Sequence, residues 1–349
     1  MCSLVNDITV FLEGNGFECS HQMRHGFDVI CTRTLDGRYS RIILPLEIKA
    51  RSQEEAGQES EYALMAIQMI SRESAYPLII TEDRWHRQRE MMEARLLAHL
   101  ELFSQAYARN CEVRRIDKAE AKAFLTLNHS YGHAACRYCY GLFLKRHTGH
   151  IAKETHENHV GKMIAVATFS NARKWVKDGK EIRSYEWTRY ASLPDMRISG
   201  GMGKLLKAFI KEVRPDDIMS YADLEWSRGE VYKALGFKTE MGKDAVDFII
   251  DGRTWERSPI RSGMTASKAI TSPADAGVIA SPTGAEVIAG PTEASVITGP
   301  AGADVIAGLT EASVIAGPTG ADVIAGLTGN LFFRNFGSRK FRLKLTDYK

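Results

Sequence analysis

Three residues in the first fifty, Asp28, Glu47 and Lys49, are of the types that metal-assisted phosphodiester cleavage uses. Two carboxylates can hold a Mg²⁺ ion, and a lysine close to the second can orient the attacking water and offset charge in the transition state. A second constellation is "SGGMGKLLKAF" at 199–209, where Gly200, Gly201 and Gly203 run with Lys204 into an amphipathic helical stretch. Glycines ahead of a helix let backbone N–H groups approach an anion, so this is a candidate phosphate cradle. It is no nucleotide P-loop, because Leu205 follows Lys204 where a Ser or Thr would bind Mg²⁺, and its spacing fails the dinucleotide fingerprint. The pyrophosphate of coenzyme A, a DNA backbone and a plain tight turn remain open. A third group gathers His129, His133, Cys136, Cys139, His147, His150, His156 and His159. C-x-x-C followed by H-x-x-H is zinc-like, but the step from Cys139 to His147 is short for a finger, so a solvated hairpin insertion is expected rather than structural zinc.

These side chains need elements to hold them. Leu4, Ile8, Phe11 and Leu12 have helical spacing, and "GFDVICTRT" and "YSRIILPLEIKA" are β-rich runs joined across Asp36-Gly37. Strand spacing puts Glu47 and Lys49 on one face. A helix over "ESEYALMAIQMISRE", a short strand "YPLIIT" and one long helix over "EDRWHRQREMMEARLLAHLELF" complete an α-β-β-β-α-β-α order for residues 1–104. Residues 105–261 repeat the alternation: a helix at "DKAEAKAFLTLNH", strands at "RYCYGLFLKR", "GKMIAVATFS" and "IRSYEWTRYAS", the glycine loop with its helix, the strand "DIMSYAD", a helix "SRGEVYKAL" and the strand "DAVDFIID". Two α/β domains are therefore expected.

The 349-residue length suits two domains or two plus a tail, and 44% hydrophobic with 26% charged residues is ordinary for a soluble protein. No apolar run approaches the roughly 18 to 20 residues of a spanning helix. The first residues lack a basic n-region and cleavage site, so the expected location is the cytoplasm. Scattered cysteines argue against a disulfide scaffold, and a net charge of +3 permits nucleic-acid binding without requiring it. From about 262 to 330, Val278, Val287, Val296, Val305, Val314 and Val323 open nine-residue units of Val-Ile-Ala-Gly type, expected to be a spacer without bound metal. A basic, aromatic segment follows at 331–349.

The first constellation, in its α-β-β-β-α-β setting, resembles the PD-(D/E)xK nucleases, with Asp28, Glu47-Ile48-Lys49, Glu13 and Gln68 at the matching positions and Phe27 where a proline usually stands. The resemblance implies a restriction-endonuclease-like fold, Mg²⁺ at Asp28 and Glu47, and Lys49 beside them. The stretch from "YEWTRYAS" to "KALGF" resembles the central half of GNAT acyltransferases, in which a strand leads into an R/Q-x-x-G-x-G/A loop that holds acyl-CoA, a second strand splays away, and a helix carries a tyrosine before "LGF". That resemblance implies a mixed sheet, acyl-CoA held by Arg197, Gly200, Gly201, Gly203 and Lys204, Tyr232 as acid, and Glu186 or Asp223 as base; Met202 stands where the last Gly or Ala belongs. Over 124–237 the chain is also similar to the GNAT-like domain of phage and bacterial Hef-like homing endonucleases and, more distantly, to Mom-type DNA-modification proteins, with His129 in the shared "NHSYG" and "FGSRKFRLKL" as the closing segment.

Three functions follow as expectations. The first is a DNA endonuclease module coupled to a GNAT-like module. The second is acyl-CoA-dependent acylation of a DNA base or another amine. The third is a non-catalytic DNA-binding adaptor.

Overall fold

The computed structural model describes residues 3–146, 159–260 and 329–347. The nine-residue repeat, and with it the spacer expectation, lies outside the described residues, as do His147, His150 and His156. The chain is mixed α/β.

Helix α1 (Ser3–Gly14) is followed by strands β1 (Phe17–Arg24), β2 (Phe27–Thr34) and β3 (Ser40–Leu46), helix α2 (Gln53–Glu73) and strand β4 (Leu78–Thr81). The first three strands pair antiparallel in chain order, and β4 joins β3 in parallel, as a helical crossover permits. Period-2 alternation sends Ile30, Ile43 and Ile80 to one face, under Leu4, Ile8 and Leu12 of α1. It sends Val29, Leu44 and Ile79 to the other, under Ala63, Ile67 and Ile70 of α2. Ser52 caps α2 by accepting from the Glu55 N–H. Two expectations need correction. Strand β3 stops at Leu46, so Glu47 and Lys49 lie in the irregular segment beyond it. The long helix is two, α3 (Glu82–Arg87) and α4 (Arg89–His99), broken at Gln88 (φ −125°, ψ 43°), whose side-chain amide donates to the Ser130 carbonyl at 2.7 Å.

The second sheet is built from β6 (Cys111–Arg115), β7 (Tyr138–Leu144), β8 (Met163–Phe169), β9 (Arg173–Lys177), β10 (Lys180–Ser192), β12 (Asp217–Asp223), β13 (Lys238–Lys243) and β17 (Ser338–Lys344). Its order is β13-β17-β12-β10-β8-β7-β6, with β9 hairpinned on β10. Helix α5 (Lys118–Asn128), closed by an Asp117–Glu120 capping box, covers one face, and α6 (Gly201–Val213) covers the other. Leu205, Leu206 and Phe209 of α6 enter the core, where the Phe209 ring stacks on Phe169 at 3.9 Å. Two short strands, β5 (Ser104–Tyr107) and β11 (Met196–Ser199), pair in parallel just before the loop that starts α6. Helix α7 (Glu230–Ala234) connects β12 to β13.

The basic segment after the repeat supplies β17, inserted between β12 and β13, and β16 (Leu331–Arg334). The latter forms a small sheet with β14 (Asp247–Ile250) and β15 (Arg257–Pro259). Phe332 of β16 and Ile249 pack on Ala50 and Ala56, and Leu331 and Phe333 on Ile48. Among the described residues no helix is long and apolar enough to cross a membrane.

Candidate functional site

Strands β10 and β12 run parallel but pair only at Ser184–Asp217, Tyr185–Ile218 and Glu186–Met219. A bulge between Trp187 and Arg189 then carries β10 away with β8, while β12 continues along β17. The strands therefore fork just past Glu186 and Met219. This is the splayed pair that the resemblance to acyltransferases implies.

Tyr232 of α7 reaches this fork. Its hydroxyl lies 2.9 Å from Oγ of Ser220, the first β12 residue past the last pair, and Ser220 donates to the carbonyl of Trp187 (3.0 Å), the first β10 residue past it. The Tyr232 ring stacks on Phe341 (5.1 Å between centroids) and meets Trp187 edge-on. Tyr232 is thus half-buried against the core, with its polar end at the fork. Burial pushes its hydroxyl pKa above the usual tyrosine value, so the proton stays on at neutral pH. Glu186 sits at the last paired position, 7% exposed, on the other face from Tyr185 and Trp187, with its backbone N–H donating to Ser170 Oγ. Its charge is felt by Lys243 and Tyr221; the Lys243 Nζ lies 4.1 Å over the Tyr221 ring.

Helix α6 is capped by Gly200, whose left-handed backbone (φ 77°) suits glycine. A Cβ at Gly201 would stand 2.9 Å from Ile198 Cγ2, so this glycine is required by close packing. The first turn of α6 borders a cleft of about 540 Å³ lined by Arg109, Gly200, Gly203, Lys204, Lys207 and Leu235 among others. First-turn N–H groups have no partner within their helix, and together with the aligned peptide dipoles they favour an anion. Lys204 is anchored beside it, its Nζ donating to the carbonyls of Ala108 (2.8 Å) and Cys111 (2.5 Å). Lys204 holds the β5–β6 turn against α6, and Arg109 and Lys207, which the sequence did not single out, add charge to the cleft wall.

Three sequence candidates are held elsewhere. The Arg197 guanidinium sits over the Phe103 ring and reaches Glu101 at 3.4 Å, so its side chain is committed away from the cleft. Asp223 accepts from Arg84 (3.0 Å) and from the Glu225 N–H (2.9 Å), and so belongs to a buried ion network. His129 is half-buried; burial and then the nearby charge of Arg189 hold its imidazole down to about 3, and Nδ1 accepts from the Tyr131 N–H (3.1 Å). It is a neutral turn acceptor, because protonation would remove that acceptor.

The ion network joins distant segments. Arg257 of β15 forks onto Asp83 (2.7 and 2.9 Å) and Glu225 (3.0 and 3.1 Å), while Arg84 reaches Glu225 and Asp223. Arg95 donates to the carbonyls of Ile79 and Trp226. Separations of up to 174 residues leave no trace in local sequence pattern.

On the first sheet, Asp28 lies on β2, two residues before the last β2–β3 pair, Ile30 with Ile43, and Glu47 follows the last residue of β3. Glu47 forms an ion pair with Lys49. A third carboxylate, Glu82, accepts from the Ile48 N–H (2.8 Å), and burial followed by the Glu47 charge raises its pKa. Glu82 was missed in the sequence, although its place directly after "LIIT" puts it at a strand end beside Glu47. Among the described residues no cluster of three His, Cys, Asp or Glu side chains could hold a metal ion.

No protein-family profile matches the chain, and no curated protein matches it in sequence. Among solved structures, Eis1 from Mycobacterium abscessus is similar at 15% identity over 41% of this chain and 34% of that one, with a TM-score of 0.28. The chain thus spans about a third of the Eis1 length. A mutant AtaT toxin, bound to the C-terminus of the antitoxin AtaR and acetyl-CoA, is similar at 14% identity over 38% of this chain and 88% of that one, with a TM-score of 0.24.

Proposed function

We propose that the second unit transfers an acyl group from acyl-CoA to an amine. The observation that carries this reading is the position of the Tyr232 hydroxyl at the fork of β10 and β12, with the basic cleft at the α6 N-terminus a few residues away along α7, at Leu235. The residues present suit an acyl-CoA: the first-turn N–H groups of α6, Arg109 and Lys207 offer charge and donors to a pyrophosphate. Bound there, the cofactor supplies an activated thioester. In this reading Glu186 takes a proton from an attacking amine, and Tyr232 Oη, whose proton burial retains, gives one to the departing thiolate. The bulge at Trp187–Arg189 turns β10 along β8 and away from β12 beyond Glu186.

An exocyclic amine of DNA is the acceptor we propose, on the strength of the resemblance to Mom-type proteins. Calorimetry with acetyl-CoA, followed by incubation with DNA and mass analysis of its nucleosides, tests both parts. Absence of heat with short and long acyl-CoAs would sink the first; binding without a mass-shifted nucleoside would restrict the acceptor to other amines.

The Glu47–Lys49 ion pair at the end of β3, with Glu82 accepting from the Ile48 N–H between them and Asp28 on the adjacent β2, favours a second reading for the first unit: Mg²⁺-dependent hydrolysis of DNA. Asp28 and Glu47 would hold the ion, with Glu82 behind Glu47. Plasmid nicking in Mg²⁺ should then be lost in Glu47→Ala, and full nicking by that variant refutes it.

A further inference from the structure

We propose that Cys136 and Cys139 are a redox-active dithiol that exchanges with small anionic disulfides and closes into an intramolecular disulfide. The two Sγ atoms are 3.4 Å apart, in contact but unbonded, against about 2.05 Å in a disulfide. Their surroundings differ in the way such chemistry requires. Cys139 lies within β7, buried, paired across to Thr168. Cys136 precedes the strand, is half-buried, and forms part of the wall of a separate cavity of about 200 Å³. Lys118 and Lys122 also line that cavity, so a ligand entering it meets positive charge beside Cys136. Glutathione disulfide, whose carboxylates outnumber its ammonium groups, is the natural probe.

The remaining described cysteines are not arranged this way. Cys19 pairs across from Thr32 and Cys31 from Ser20, and the Cys111 thiol donates to the Tyr107 carbonyl. The electrostatics agree with the geometry: the hydrogen bond from Cys139 brings the Cys136 thiol down to about 7, against burial and with help from Lys118, while the same bond and burial push Cys139 up. The accessible sulfur is the nucleophile and the enclosed one the resolver.

The steps balance. The Cys136 thiolate attacks one sulfur of the disulfide, forming a mixed disulfide and releasing one thiolate, which takes a proton from solvent. Cys139 then loses its proton, attacks Cys136 Sγ and releases the second thiol. Two protein thiols and one disulfide become one protein disulfide and two thiols. The bond ties the 129–136 segment to β7. That segment contacts both halves of the molecule: its Gly132 carbonyl accepts from Arg189 of β10, and its Ser130 carbonyl from Gln88 between α3 and α4.

The experiment uses the full chain. After treatment with glutathione disulfide and alkylation, peptide mass mapping should find Cys136 joined to Cys139 with loss of two hydrogens. Cys139→Ser should accumulate glutathione on Cys136, and Cys136→Ser should give neither product while retaining the wild-type circular dichroism spectrum. At pH 7, Cys136 should alkylate about threefold faster than an unperturbed thiol, the gain in thiolate being partly offset by lower nucleophilicity. The proposal is overturned if both cysteines stay alkylatable after treatment, if Cys139→Ser carries no adduct, or if the purified protein holds one equivalent of zinc that protects both thiols.

Discussion

Replacing Arg257 with methionine tests whether the three distant segments are fastened by the buried network. In the native protein its guanidinium, 10% exposed, makes four charge-assisted hydrogen bonds to Asp83 and Glu225, which are 3% and 2% exposed. Methionine keeps most of the volume and removes every donor. Arg84 can still neutralise Glu225, at 3.3 Å, but Asp83 loses its bidentate partner while remaining inside. Breaking a buried pair from one side costs about 3–5 kcal/mol, which lowers the folded-to-unfolded ratio by roughly 10² to 10³·⁵. The penalty has a pH signature. Burial alone would raise the Asp83 pKa, but Arg257 and then Arg84 outweigh it and hold the carboxyl below its ordinary value. A depressed carboxylate contributes stability that is complete above the unfolded pKa, near 4, and lost as pH falls through the folded value. In the variant, burial acts with less opposition and raises that pKa, so protonation at mild acid relieves the strain. Urea denaturation at pH 7 and pH 4.5 should therefore show a large gap from wild type that narrows at the lower pH. A gap below about 1 kcal/mol at pH 7, or one that widens on acidification, would falsify the claim that Asp83 depends on Arg257.

Tyr232→Phe keeps the ring between Phe341 and Trp187 and removes the hydroxyl beside Ser220, so stability should drop by about 1 kcal/mol while acyl-transfer kcat falls by roughly 10²–10⁴. Unchanged kcat at saturating acyl-CoA would show the tyrosine to be core alone. Lys204→Met should cost about 2 kcal/mol through its two carbonyl contacts, whereas Lys207→Met should weaken acyl-CoA binding at nearly unchanged stability; paired denaturation and calorimetry read both, and the reverse pattern contradicts the assignment. Burial holds both His99 and His129 down to about 3, so the unfolded chain binds two more protons, and stability is greatest above about pH 6.5 and lost as pH falls from there toward 3. Proton uptake on unfolding at pH 5, followed by titration calorimetry, should fall by about one proton in His129→Asn.

Periodicity and glycine placement made the local elements readable. The spacing of Leu4, Ile8 and Leu12 marks α1, the alternation in "FDVICTRT" marks β2, and the glycines before Lys204 mark the start of α6. Each depends on neighbours within a few residues, which is the range that side-chain period and backbone preference act over. Tyr232 and Glu186 are singled out only through the resemblance to acyltransferases, which is carried by a helix and a strand whose order is legible. What the loop glycines do was not: their spacing suits a phosphate cradle and a packed turn equally, and only the folded chain assigns Gly201 to packing against Ile198 and puts Gly200 and Gly203 on the cleft wall. The fate of Arg197 and Asp223 was decided by Glu101 and Arg84, residues 96 and 139 positions away. The insertion of β17 between β12 and β13, the pairing of Arg257 with Asp83, and the meeting of Glu47 with Glu82 belong to the same class. One chain specifies all of them, but through contacts formed only when its separate parts are folded together, where burial gives a charge or a strand edge no alternative partner.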